Sequence, residues 1–240
     1  MRLEEANKPD SGWVSKHINS KLSLLLSRWL VKTPVTPNQI TALSLLVGLL
    51  AAFLISQSQS YLCVASAGLL WQFFAVLDHT DGVLARVKGL QSKFGGYFDT
   101  LVGHLSYLAF FTGLIFGMWK KTGDTLYPLV GFSVMGLVLI ALIPSYLWLK
   151  RSGQTSLETY NDTFGKVTAK TKKNPVFRVL NKLKYFAKGQ FSRLLFCLLA
   201  LINQTQIIFW LMVVGALLIS LGIFLSVGDR LRLATLESQE

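Results

Sequence analysis

Cysteine is scarce: the 240 residues hold only Cys63 and Cys197, both inside apolar runs. Two cysteines so placed read as small buried hydrophobes, and no disulfide framework is implied. Histidine is as scarce, with three, and no Cys/His cluster suggests zinc. Acids are the minority charge, 12 Asp and Glu against 24 Lys and Arg, a net of +12. That excess suits a nucleic-acid binder. In a chain that crosses a bilayer it is explained more simply by orientation and anionic lipid, so no nucleic-acid partner is expected. The N-terminal stretch lacks an apolar core followed by a cleavage site, and no removable signal peptide is expected. Internal repeats and low-complexity tracts are also missing.

What is abundant is apolar sequence. Hydrophobic residues make up 52% of the chain and gather in long runs. The fold class is therefore all-α, a polytopic membrane protein. Residues 1–12 are polar and read as loose. Residues 13–32 place Val14, Ile18, Leu22, Leu25, Leu26 and Trp29 at helical spacing, with Lys16, Lys21, Arg28 and Lys32 among them. This predicts an amphipathic helix on the membrane surface, and residues 1–37 form the N-terminal segment that carries it. A proline-rich break follows at Thr33–Asn38.

Six transmembrane helices are expected, at about 39–56, 60–85, 95–118, 126–149, 190–203 and 206–227. They make a membrane domain over 38–227, with a tail at 228–240. A basic connection spans 150–189, where Asn174-Pro175 and Gly189 would bound a second surface helix carrying Val176, Phe177, Leu180, Leu183 and Phe186. Pro144 is a candidate kink. With both termini in the cytoplasm, every Lys and Arg except Lys120 and Lys121 falls on the cytoplasmic side. That is the bias of the positive-inside rule, and it fits the inner or plasma membrane of a prokaryote.

The chemistry concentrates in one stretch. Residues 78–86 read D-H-T-D-G-V-L-A-R and residues 95–103 read G-G-Y-F-D-T-L-V-G. Acids near a membrane are costly and read as functional by default. Asp78, Asp81 and Gly82 share a helical face, and a helical hairpin would return Asp99 to it. One reading pairs these acids with Arg86 and nearby lysines. The other gathers all three on a divalent cation. Oxygen-only ligands favour Mg²⁺, with Mn²⁺ or Ca²⁺ as alternatives.

Asp78, Asp81, Gly82, Ala85, Arg86, Gly95 and Asp99 match the spacing of the CDP-alcohol phosphotransferase motif, D-x2-D-G-x2-A-R-x8-G-x3-D-x3-D. The run Thr36–Thr41 after an amphipathic helix also resembles members of that family. The resemblance covers residue 13 to the sixth span. It implies transfer of a substituted phosphate from a CDP-alcohol donor to an alcohol acceptor, with release of CMP. It implies metal held by Asp78, Asp81 and Asp99, and nucleotide bound along Gly82, Ala85, Arg86 and Gly95, with Asn38 and Thr41 lining the pocket. It further implies a homodimer. Arg86 either meets the phosphates or pairs with an acid.

One position departs. The last motif acid, a metal ligand and the proposed base in the family, falls at Gly103. His104 and His79 are the nearest substitutes, both turned off the acid face. Lys88, Lys93, Lys188 and Arg193 are candidates for framing an anionic acceptor such as an inositol phosphate; taken singly, each also reads as an ordinary cytoplasmic-side charge. Two functions stay open: a Mg²⁺-dependent phosphotransferase of phospholipid or polar-headgroup synthesis, and a catalytically impaired relative that binds donor and metal as a regulator or scaffold. A transporter is disfavoured, because its site would lie near the midplane.

Overall fold

The computed structural model describes residues 3–7, 13–152 and 189–237. All regular structure among them is helical. A short turn, α1 (Leu3–Ala6), is followed by a π-helical turn (Ser15–Asn19) that runs into α2 (Ser20–Leu30). Then come α3 (Pro37–Ile55), α4 (Tyr61–Lys88), α5 (Lys93–Thr122), α6 (Leu126–Ser152), α7 (Gly189–Leu201) and α8 (Thr205–Glu237). Pro144 sits inside α6.

Four segments are long and apolar enough to cross a membrane: Pro37–Ile55, Tyr61–Lys88, Lys93–Thr122 and Leu126–Pro144. Where the fifth and sixth spans are expected, the described residues hold shorter apolar stretches, Gln190–Leu201 and Thr205–Leu221, below the length of the other four. The expected surface helix near 176–189 lies outside the described residues, as does Lys188.

The helix starts and stops follow local chemistry. Thr36 caps α3: its hydroxyl accepts from Gln39 N–H, and the Gln39 side chain accepts from Thr36 N–H at 2.9 Å. Pro37 begins the helix, where its missing N–H costs nothing. Gly89 closes α4 at φ +66°, and Leu90 N–H returns to Ala85 C=O at 2.9 Å. Ser92 then caps α5 by accepting from Gly95 N–H at 3.0 Å. The α4–α5 turn is thus fixed from both sides.

The six long helices form a closed ring. α3 packs on both α4 and α5, α5 on α6, α6 on α8, α8 on α7, and α7 on α4. α4 and α5 meet through side chains, Trp71 of α4 stacking on Phe110 of α5 with ring centroids 4.3 Å apart. Close approach of α3 and α5 depends on Gly113, where an added Cβ would sit 2.1 Å from the Ala52 carbonyl oxygen. The ring interior is filled by Trp71, Phe74, Phe110, Phe111, Phe209 and Met212.

One expectation at the N-terminus changes. Residues 3–7 are not loose: Ala6 is fully buried, and α1 packs on α4 and α2. α2 has its polarity reversed relative to a soluble core helix. Ser20, Ser23 and Ser27 face inward and are buried, with Thr80 of α4 donating to Ser23 Oγ at 3.2 Å. Leu22, Leu25 and Trp29 point outward, Trp29 being 74% exposed. Small side chains let the helix lie close to α4, and the bulky apolar ones are left for another medium.

Candidate active site

The two acid-bearing helices meet at matched depth. Asp81 lies seven residues before the end of α4 and Asp99 six residues after the start of α5, about 9–10 Å along each axis from the turn. Asp78 and Asp99 both lie within electrostatic reach of Asp81. Asp81 is buried, while Asp78 and Asp99 are partly exposed and open an acidic cleft at this end of the two helices. Its floor is aromatic: Trp71 stacks on Phe110 at 4.3 Å and on Phe74 at 5.1 Å, with Tyr107 beside them.

Each acid on α4 has a partner from another helix. Asp81 is 5% exposed and accepts from the Thr41 hydroxyl of α3 at 2.5 Å. Asp78 pairs with Arg193 of α7, Nη1 to Oδ2 at 2.8 Å. The Arg193 guanidinium also lies over the Phe74 ring, 4.9 Å from its centroid. A charge on the short fifth apolar helix is thereby explained: it reaches the acid cleft.

The motif glycines behave differently from one another. A Cβ on Gly82 would meet the Arg86 guanidinium at 3.5 Å, so that face is covered only by a flexible side chain. A Cβ on Gly95 would meet Asn38 Oδ1 at 3.1 Å, which places the start of α3 beside the start of α5. Gly103 has open space where a side chain would go. Ala85 is partly buried one turn before the end of α4.

Arg86 points to the N-terminal segment, donating from Nε to Ala6 C=O at 2.6 Å. His79 Nε2 lies 3.0 Å from Asn7 Oδ1 of the same segment. Lys88 is tied to the carbonyls of Thr33 and Val35 at 2.6 and 2.7 Å, so it staples the α2–α3 link to α4. Lys93 is exposed at the start of α5. His104 turns away from the acids: Nδ1 donates to Thr100 C=O at 2.7 Å and lies 3.2 Å from the Tyr146 hydroxyl. These two residues line an apolar groove of about 660 Å³ between α5 and α6, walled by Leu101, Leu105, Leu139 and Ile143.

The motif acids are oxygen-only donors, which suits a hard cation. Among the described residues, however, no three His, Cys, Asp or Glu side chains are gathered tightly enough to hold a metal as they stand. Asp78 and Asp81 are engaged by Arg193 and Thr41 instead. The aromatics Trp71, Phe74 and Tyr107 and the amides Asn19, Gln72 and Gln190 belong to no motif in the sequence. The available signal was polar Gln72 inside an apolar run.

The sequence is similar to several known proteins. Over 202 residues, 83% of this chain, the sequence is 33% identical to the bifunctional IPC transferase and DIPP synthase of Archaeoglobus fulgidus, covering 35% of that protein. It is 38% identical over 91 residues, 38% of this chain, to the protein of the same description in Thermococcus kodakarensis, covering 20% of it. Against the archaetidylinositol phosphate synthase of Pyrococcus horikoshii it is 33% identical over 106 residues, 44% of this chain and 54% of that one. The chain thus spans about a third or less of the bifunctional relatives and about half of the synthase. The profile described as CDP-alcohol phosphatidyltransferase matches residues 34–221, from the break before α3 into α8. The chain belongs to the CDP-alcohol phosphatidyltransferase family.

Proposed function

We propose that this protein transfers a substituted phosphate group from a CDP-alcohol to the hydroxyl of an acceptor alcohol and releases CMP. What supports this is the family match over residues 34–221 together with Asp78, Asp81 and Asp99, which stand at the motif spacing on α4 and α5. A bond forms between the acceptor oxygen and the phosphorus that bears the alcohol. The bond from that phosphorus to the oxygen retained by CMP breaks, and the hydroxyl proton passes to water or to a substrate phosphate.

Asp78, Asp81 and Asp99 would hold a divalent cation, Mg²⁺ first. Such an ion neutralises diphosphate charge and polarises the phosphoryl oxygen. Thr41 keeps Asp81 oriented. Gly82, Ala85 and Gly95 leave the helix surface low for the nucleotide, with Asn38 at its edge. Arg86 has to leave the Ala6 carbonyl to reach a phosphate. Arg193, on the rim beside Asp78, suits an anionic acceptor. Relatives described as IPC transferase and archaetidylinositol phosphate synthase support an inositol-phosphate-type donor or acceptor. The cleft would open to the cytoplasm of a prokaryotic cell, with α2 lying in the membrane interface through Leu22, Leu25 and Trp29, and the working unit would be a homodimer.

The test is CMP release by the purified chain in lipid. The donors are CDP-diacylglycerol, a CDP-dialkylglycerol and CDP-inositol, and the acceptors are inositol phosphate and glycerol phosphate. Turnover should vanish on chelation and return with Mg²⁺. Silence across the panel, with folded protein, defeats the proposal.

A second reading rests on Gly103. Its position holds no base, and His104 is committed to Thr100 and the α5–α6 groove. On that reading the chain binds donor and metal without turnover. CDP-alcohol would then raise the melting temperature in Mg²⁺ while no CMP appears.

A further inference from the structure

Behind the acid cleft lies a buried polar clasp. Asn19, at the end of the π-helical turn, is fully buried. Its Oδ1 accepts from Gln72 Nε2 of α4 at 2.7 Å, and its Nδ2 donates to Gln190 Oε1 of α7. One amide therefore joins three elements, 53 and 171 residues apart in sequence. Both functions of the side chain are used. Oε1 of Gln72 has no partner among the described residues, but Asn19 is fully buried, so losing either of its own two hydrogen bonds is costly and ties the junction to this arrangement.

What the clasp holds matters for the site. Gln190 lies in the first turn of α7, and Arg193 is its i+3 neighbour on the same face. Arg193 is the residue that crosses to Asp78 at 2.8 Å over the Phe74 ring. Gln72, Phe74 and Asp78 all belong to α4. Fixing Gln190 to α4 through Asn19 sets the height and rotation of α7, and with it the reach of the guanidinium.

We propose that Asn19 is a positioning residue for the reaction: its amide locks the first turn of α7 against α4 and so sets Arg193 on Asp78. It touches neither substrate nor metal. The proposal rests on the transferase reading and deepens it, by making the surface-helix segment part of the site's supporting frame. Asparagine suits the task because a short side chain there must both donate and accept.

The test is a double-mutant cycle on the full chain in lipid, with wild type, Asn19→Leu, Arg193→Ala and the double variant. The readouts are kcat, KM and melting temperature. If the clasp acts through Arg193, Asn19→Leu lowers kcat/KM by about tenfold when Arg193 is present and by less than about twofold when it is absent, as expected for residues coupled in one network. Equal losses in both backgrounds would make Asn19 ordinary packing and overturn the proposal. Should Asn19→Leu fail to fold, Gln190→Leu interrupts the same clasp and enters the same cycle. If wild type releases no CMP, the transferase reading falls, and the melting temperatures alone decide the clasp: non-additive losses support it and additive losses refute it.

Discussion

Thr41 and Gly103 show how much single side chains decide in this cleft. Thr41 supplies a buried hydroxyl to Asp81 at 2.5 Å. Hydrogen bonds to charged groups contribute about 1.5–3 kcal/mol, and a buried carboxylate that loses its donor bears the full penalty. Thr41→Val, nearly isosteric, is therefore expected to lower stability by roughly that amount, and denaturation in detergent would measure it. An unchanged melting temperature would mean that the carboxylate does not depend on the hydroxyl. Gly103 stands one turn beyond Asp99, with open space beside it. Gly103→Asp should fit without strain. A general base is worth roughly 10²–10⁴-fold, so the substitution is expected to raise turnover by about 10²-fold or more. A fall in turnover would mark the glycine as shaped for the chain's own acceptor.

At the scale of elements, α3 ties α4 to α5 by packing on both. Gly113 lets it approach α5 until a Cβ would collide with the Ala52 carbonyl. Backbone cannot yield as a flexible side chain can. Gly113→Leu is expected to cost at least the 1–3 kcal/mol typical of overpacking, and to push α3 off α5. The measurements are melting temperature and, in the same protein, donor affinity; a normal melting temperature would refute the close approach. The N-terminal turn is a second element with a clear role. Ala6 C=O and Asn7 hold Arg86 and His79 of α4. Deleting residues 2–7 should free Arg86 for phosphate and lower KM for the donor severalfold, with kcat little changed. A raised KM would show that the segment helps to build the site.

Among the described residues the helices α3 to α8 form a ring, with Arg86, Lys88 and Lys93 at the α4–α5 turn and Lys120 and Lys121 at the far end of α5, opposite the acid cleft. Single cysteines placed at Asp124 and at Lys32, in a chain with Cys63 and Cys197 removed, should label from opposite faces of a sealed vesicle. Labelling of both from one side would reverse the orientation argument. The same polarity explains the reversed dress of α2. Its serines meet the protein, while Leu22, Leu25 and Trp29 face outward at the level where a bilayer interface is expected.

The helical class, the starts of the long helices to within a few residues and the spacing of Asp78, Asp81 and Asp99 were legible in the sequence, whereas the last helix runs to Glu237, ten residues past its expected end. The legible features are local: apolar run length sets the helices, and fixed spacing sets which side chains share a face. The tertiary structure decided what crosses between distant segments. Arg193 on Asp78, Thr41 on Asp81, Asn19 between Gln72 and Gln190, and the docking of residues 3–7 join positions from 40 to 171 residues apart or bind a segment that reads as loose. Spacing along one helix carries no record of such pairs. They exist because a closed ring of helices excludes water, and buried polar groups then take whichever partner the packing brings within reach.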